Sequence, residues 1–358
     1  MNRGLIINGK TYTEEELILY CHNLISNSVE EWERDYCRFI KEWLNNSDKV
    51  SAKTSGSTGT PKQIKLSKQK MINSARLTGE YFGFKEGDTV LFCLSSNFIA
   101  GKMMIVRAFV WQLNLIPVSP NGYPLENVGS DFDFAAMIPL QVNNSLLDKV
   151  KLDRVKNLLI GGGVVDLHLS ESLQSVKVNC FVGYGMTETV SHVAIRSLNG
   201  ENKSDLYSAM GNAKFTIDDR GCLCIESSAV LDHLLLTNDV VELVNEKKFK
   251  WLGRYDHVIN SGGIKLFPEQ LELKLQGIIQ HPFFFAGIPD AHLGEKMILL
   301  IEDENCKEEK RLEIRRQIKS LFVKFEQARE IFYISEFKRT ETGKIQREAT
   351  LEEFILSR

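Results

Sequence analysis

The residues Thr54-Ser55-Gly56-Ser57-Thr58-Gly59-Thr60-Pro61-Lys62 gather hydroxyls, two glycines and a lysine in one short run. Glycine lets backbone N–H groups turn toward an anion, the hydroxyls add donors and the lysine adds charge, so the composition suits a polyphosphate. It is not the GxxxxGK[ST] loop, because Thr-Pro-Lys follows the second glycine. A Ser/Gly-rich surface loop is the plain alternative. Farther along, Tyr184-Gly185-Met186-Thr187-Glu188-Thr189 follows an apolar run ending at Val182. An aromatic face can stack on a purine, a hydroxyl can bond a phosphate, and a carboxylate can hold Mg²⁺ through oxygen. Thr237-Asn238-Asp239 and Gly253-Arg254-Tyr255-Asp256 add a carboxylate able to accept both hydroxyls of a ribose and a guanidinium able to bond ribose or phosphate. In isolation each of these segments also reads as an ordinary edge strand or a turn with an ion pair.

These groups need a scaffold. Between Ile64 and Gly183 the apolar runs Thr89–Leu94, Leu115–Ser119, Phe134–Ile138, Asn157–Ile160 and Val176–Val182 predict buried strands, and Ser67–Gly83, Ile99–Leu113 and Asp166–Leu173 predict helices. That alternation predicts a layered α/β sheet. Short strands at Phe215–Ile217, Cys222–Glu226, His233–Leu236, Val240–Val244 and Lys248–Leu252 predict a β-rich subdomain. After Gly253 the pattern changes to a helix at Pro268–Ile278, strands at Phe283–Gly287 and Lys296–Ile301, and a charged helix at Glu308–Glu326. Leu312, Ile318, Leu321, Phe322 and Phe325 are expected to form the docking face of that last helix. The fold class is therefore a large α/β domain with a β-rich subdomain, followed by a small α+β C-terminal domain.

Length and composition set the bounds. At roughly 150 residues per domain, 358 residues suit two domains, and 43% apolar with 25% charged residues is an ordinary globular composition. Lys plus Arg number 44 against 47 acids, a net charge of −3 with neither sign gathered into a tail, which argues against a bulk electrostatic binder of nucleic acid or membrane. The first residues hold no apolar h-region, and Leu91–Val118 is interrupted by Asn97, Lys102, Arg107 and Asn114, so neither a secretory signal nor a membrane span is expected. The seven cysteines form no CxxC pair and are expected to be reduced core thiols in a cytoplasmic protein.

Taken in order, the motifs resemble those of the acyl-adenylate-forming (AMP-binding) superfamily of acyl-CoA synthetases, adenylation domains and luciferases. The resemblance implies ATP, Mg²⁺ and coenzyme A as cofactors. It implies that Thr54, Ser55, Gly56, Ser57, Thr58, Gly59 and Lys62 grip the β- and γ-phosphates, and that Gly161, Gly162 and Gly163 form a backbone wall beside adenine. Tyr184, followed by Gly185, would lie against the base, with Thr187 near the α-phosphate, Glu188 on the metal, and Asp239 and Arg254 on the ribose. The usual Thr-Gly-Asp stands here as Thr-Asn-Asp, a mild departure because Asn tolerates left-handed geometry. Gly262 and Gly263 would pass close to the pantetheine arm of coenzyme A. Lys344, in Thr342-Gly343-Lys344-Ile345-Gln346-Arg347, would be the catalytic lysine, and Asp256 the hinge between an adenylation domain, 1–254, and a mobile C-terminal domain, 255–358.

The phosphate loop begins at residue 54, so most of the usual front subdomain is expected to be missing. That compact form resembles the short o-succinylbenzoate:coenzyme A ligases of menaquinone biosynthesis, whose acid-binding helix is similar to Ile99–Arg107. Such an acid has two carboxylates, and Arg107 or Lys102 would hold the idle one, with Ser191 and His192 lining the same pocket. Asn97 stands where the family often has histidine. The expected partners are a small carboxylic acid and, at most, a second copy of the chain. The competing readings are another acyl-CoA ligase, an adenylation enzyme that loads a carrier-protein thiol, and a silent nucleotide-binding regulator.

Overall fold

In the computed structural model, residues 4–53, 63–340 and 345–357 are described. Five parallel strands, Thr89–Phe92, Asn114–Pro117, Phe132–Met137, Val155–Ile160 and Asn179–Gly185, stand at the centre. Their near-continuous apolar runs follow from burial on both faces. Val90 and Phe92 enter one core cluster with residues of the helices Lys68–Phe82 and Ile99–Trp111, whereas Leu91 and Cys93 enter another with Val142, Leu169 and Leu173. All seven cysteines are free and buried.

The chain then reverses direction. His192–Ser197 pairs antiparallel with Asn179–Gly185, and the sheet continues through Leu206–Ala209, Lys248–Arg254, Leu235–Asn245, Cys222–Glu226 and Lys214–Ile217. The β-rich segment is therefore joined edge to edge to the parallel strands in one 13-stranded sheet. The two separate strands expected at 233–236 and 240–244 are one, Leu235–Asn245, because its register shifts are absorbed within the ladder instead of breaking it.

Two helices in the first 53 residues were not anticipated, Glu14–Asn27 and Glu31–Leu44. Thr13 starts the first with a reciprocal capping box to Glu16, and the second buries Tyr36, Phe39, Ile40 and Trp43 on one face at helical spacing.

A second sheet contains Ile259–Ser261, Ile264–Leu266, Phe283–Asp290 and Gly294–Glu302, with Glu330–Ile334 parallel to the last of these. The helix Glu308–Leu321 docks on it through only part of the face expected, Ile318 and Phe322. Ile314, Ile318 and Phe322 are buried at four-residue spacing, while Leu312, Leu321 and Phe325 are exposed. Among the described residues, no helix is long and apolar enough to cross a membrane.

Candidate active site

In an open α/β sheet, ligands sit beyond the carboxyl ends of the parallel strands. Ile160 and Val182 are register partners, so Gly161–Gly163 and Tyr184–Thr189 leave neighbouring strands side by side at that edge. Gly161 is tied down through its N–H to the Met137 carbonyl at 3.1 Å. Gly185 is required by packing, since a Cβ there would lie 2.2 Å from the Ser191 carbonyl oxygen.

The turn after Gly185 is knotted by a residue the sequence did not single out. Thr189 is fully buried, and its hydroxyl accepts from the Met186 N–H at 2.9 Å while lying 2.6 Å from the Ser191 carbonyl oxygen. Val190, buried and β-branched, is held there at φ +67°, a left-handed conformation that is costly for such a residue. The result places Thr187 inward, buried, and Glu188 outward, exposed.

Tyr184 donates its phenolic proton to Asp239 Oδ2 at 2.6 Å. Burial, reinforced by the Asp239 charge, raises the phenol well above its ordinary range and keeps it a donor. The other carboxylate oxygen accepts from Trp251 Nε1 at 3.1 Å, and the Asp239 N–H donates to Thr237 Oγ1 at 3.1 Å. Asp239 is the direct register partner of Arg254. Burial works against the Arg254 cation, but a 2.5 Å hydrogen bond to Asp256 outweighs it and holds the guanidinium above its ordinary range. Arg220 braces the same corner, donating to Asn238 Oδ1 at 3.0 Å and to the Thr237 carbonyl at 3.1 Å and lying over the Tyr255 ring. Trp251 and Arg220 could not be read from spacing, because each acts from a strand or turn remote in sequence.

The helix Ile99–Trp111 buries both of the cations assigned to the acid, but the structure separates them. Five residues apart on a helix, they point in different directions. Lys102 lies 4.3 Å from the Phe39 ring and 3.9 Å from Glu42 Oε2, facing the N-terminal helices, so of the two alternatives for the idle carboxylate it is Arg107 that lies beside Ser191. Asn97 likewise turns to Asp35, at 2.7 Å. Arg107 is 2% exposed and donates from Nη2 to Ser191 Oγ at 3.0 Å. Its Nε is buried without a partner and, among the described residues, no carboxylate forms an ion pair with it. Burial pushes this cation down to about 10. His192 bonds Ser191 Oγ through Nδ1 at 3.1 Å and meets Thr78 Oγ1 through Nε2 at 3.4 Å. Thr78 reaches this cluster because Gly79 lets its helix approach closely. A Cβ on Gly79 would collide with the Trp111 ring at 2.1 Å.

Gly262 and Gly263, at φ +58° and +81°, form the two-residue turn between Ile259–Ser261 and Ile264–Leu266, and that hairpin alone accounts for both glycines. Asp256 lies in a single helical turn, Tyr255–His257, between the two sheets. The helix Pro268–Leu275 packs back across this junction, with Gln270 Nε2 donating to the Leu252 carbonyl at 2.8 Å. The loop Thr54, Ser55, Gly56, Ser57, Thr58, Gly59 and Lys62, and the lysine Lys344, lie outside the described residues.

Among the described residues, no three His, Cys, Asp or Glu side chains group as a metal cage. An oxygen-preferring ion held by one carboxylate and by substrate phosphates remains compatible with the exposed Glu188.

Comparison with known proteins agrees with this layout. A family model described as AMP-binding enzyme matches residues 53–218. An acyl-CoA synthetase (AMP-forming)/AMP-acid ligase II-like protein from Dyadobacter fermentans is 33% identical, with a TM-score of 0.61 over 91% of this chain and 95% of that one. The 2-succinylbenzoate–CoA ligase of Escherichia coli is 24% identical over 70% of this chain, and the match spans 57% of that enzyme's length. The o-succinylbenzoate CoA synthetase of Bacillus subtilis, solved with its acyl-adenylate intermediate, shares the fold at a TM-score of 0.75, with 16% identity over 97% of this chain and 95% of that chain.

Proposed function

The chain belongs to the AMP-binding enzyme family, and on that premise we propose that it activates a carboxylic acid with ATP and transfers the acyl group to coenzyme A, the acid being o-succinylbenzoate. In the first step a carboxylate oxygen attacks the α-phosphorus and pyrophosphate leaves. In the second the coenzyme A sulfur attacks the acyl carbon, the thiol proton is lost and AMP leaves.

The observation that carries the choice of acid is Arg107. A guanidinium taken out of water without a counter-ion is costly, and it is stabilised by a ligand that brings a carboxylate to its free N–H groups. An acid with two carboxylates can leave one there while the other reacts. A fatty acid has nothing to offer it.

Around the nucleotide, Asp239 would accept from the ribose while Tyr184 and Trp251 hold its carboxylate in place. Thr187 would donate to the α-phosphate from its buried position, and Arg254 would offset phosphate or ribose-edge charge once released from Asp256. Mg²⁺, held by Glu188, would neutralise the leaving pyrophosphate. Lys344 is assigned the bridge between the reacting carboxylate and the α-phosphate. We place the domain boundary at 254/255, with Asp256 as the hinge that lets the C-terminal part serve both steps. Seven free buried thiols suit a cytoplasmic setting.

The deciding experiment is acyl-CoA formation and pyrophosphate exchange over a panel of acids. o-Succinylbenzoate should give the highest kcat/KM, and equal or better turnover of benzoates or fatty acids overturns the choice. Adenylation without coenzyme A turnover would reassign the protein to carrier-protein loading.

A further inference from the structure

Thr78, His192, Ser191 and Arg107 form a single file of hydrogen bonds whose protons can be placed by counting donors. Thr78 has one hydroxyl proton. Its Oγ1 lies 3.0 Å from the Ser74 carbonyl oxygen, one helical turn back, and 3.4 Å from His192 Nε2. The nearer atom can only accept, so it takes the proton, and Nε2 must donate to Thr78. A neutral imidazole protonated at Nε2 has a bare Nδ1. That nitrogen sits 3.1 Å from Ser191 Oγ, which Arg107 Nη2, a donor only, approaches at 3.0 Å. Ser191 therefore accepts from Arg107 and donates to His192.

We propose that His192 is a positioning residue and not a ligand of the acid. Held as the Nε2–H tautomer between Thr78 and Ser191, it draws the Ser191 proton away from Arg107. Ser191 Oγ is then free to fix one edge of the guanidinium and leave Nε and its remaining donors for the idle carboxylate of a dicarboxylic acid. The inference rests on the dicarboxylic-acid reading above. If the Ser191 hydroxyl pointed its proton at Arg107, donor would face donor in a buried site, and the guanidinium would lose its only side-chain anchor among the described residues. A protonated His192 would take away at Nδ1 the acceptor that holds the Ser191 proton, and it would also set a second cation beside the first. The imidazole is nine-tenths buried, and burial together with the Arg107 charge keeps it neutral well below its ordinary range.

The proton order is read directly by long-range ¹H–¹⁵N spectra of the full chain labelled in histidine. His192 should show an unprotonated Nδ1 and a protonated Nε2 near neutral pH, and an Nδ1–H or doubly protonated ring overturns the proposal. The consequence for the acid is read by kinetics. His192→Leu should raise the KM for o-succinylbenzoate about tenfold, raise that for the monocarboxylic benzoate far less, and lower kcat by less than it raises KM. His192→Asn, whose Oδ1 stands in for Nδ1, should restore most of the difference. Equal effects on both acids, or no rescue by Asn, overturn the positioning role. Should His192→Leu fail to fold, Thr78→Val removes the acceptor that sets the tautomer and carries the same comparison. A wild-type enzyme that does not prefer the dicarboxylic acid overturns the substrate reading, while the spectra still decide the proton order independently.

Discussion

Tyr184 and Asp239 are one hydrogen-bonded unit, phenol to carboxylate at 2.6 Å, although 55 positions separate them in the chain. The residue expected beside the base thus orients the residue expected to hold the ribose. Removing the hydroxyl in Tyr184→Phe leaves a buried carboxylate with Trp251 as its remaining side-chain donor. A hydrogen bond to a charged group contributes about 1.5–3 kcal/mol. The KM for ATP should therefore rise roughly tenfold or more, with little change in the KM for the acid. Pyrophosphate exchange with ATP varied at saturating acid measures this, and a rise confined to the acid KM would sink the assignment.

Arg254 spends its charge on Asp256 even though its register partner is Asp239. Both side chains are about one-third exposed, at 29% and 32%, so solvent screens the pair and its worth to stability is about 1 kcal/mol or less. Asp256→Ala should move Tm only slightly, yet it frees the guanidinium and alters the turn joining the two sheets. Single-turnover rates of adenylation and of thioester formation should change by different factors. Equal changes in both would remove the reason for placing a hinge here.

The parallel strands and their covering helices were legible because burial on both faces writes uninterrupted apolar runs, and the Ile99–Trp111 helix starts where its pattern starts. The N-terminal helices carried readable signals too, the Thr13/Glu16 box and the 36, 39, 40, 43 spacing, which the motif-rich segments overshadowed. What spacing could not show is direction. Lys102 and Arg107 share a helix, but five residues of rotation send one to Phe39 and the other to Ser191. Thr78 and Trp251 belong to the site only through packing, since one depends on the close approach at Gly79 and the other on strand pairing.

Arg347, three residues beyond Lys344, makes a bidentate ion pair with Glu272 at 2.8 and 2.6 Å, and Glu272 also accepts from the Phe285 N–H at 2.9 Å. The pair ties the start of the last helix to the helix that packs across the junction between the two sheets. Arg347→Met strands a buried carboxylate, which costs about 3–5 kcal/mol, whereas replacing both partners with apolar residues costs far less. Urea unfolding should show a large loss in Arg347→Met and substantial recovery in the Arg347→Met, Glu272→Met double variant. Arg347→Lys should fall between them, because an ammonium cannot reproduce the fork. A double variant no more stable than the single would mean that the pair does not hold these elements together.

His192 links the buried Arg107–Ser191 cluster to pH. Its folded form resists protonation, first through burial and then through the Arg107 charge, while the unfolded chain takes up the proton at about 6.5. Above that value neither state binds the proton and stability is at its full level. As pH falls below it, the unfolded state gains a proton that the folded state refuses, so stability declines by up to about 1.4 kcal/mol per pH unit. Carboxylates held low by partners, such as Glu302 beside Arg339, lose their contribution only at more acidic pH, and Glu272, raised by burial, acts alike in wild type and variant, so the histidine effect is the difference between the two proteins between roughly pH 6.5 and 5. Urea midpoints measured across that window should slope downward in the wild type and be flatter in His192→Asn. Parallel slopes in the two proteins would show that His192 is protonated as readily when folded as when unfolded.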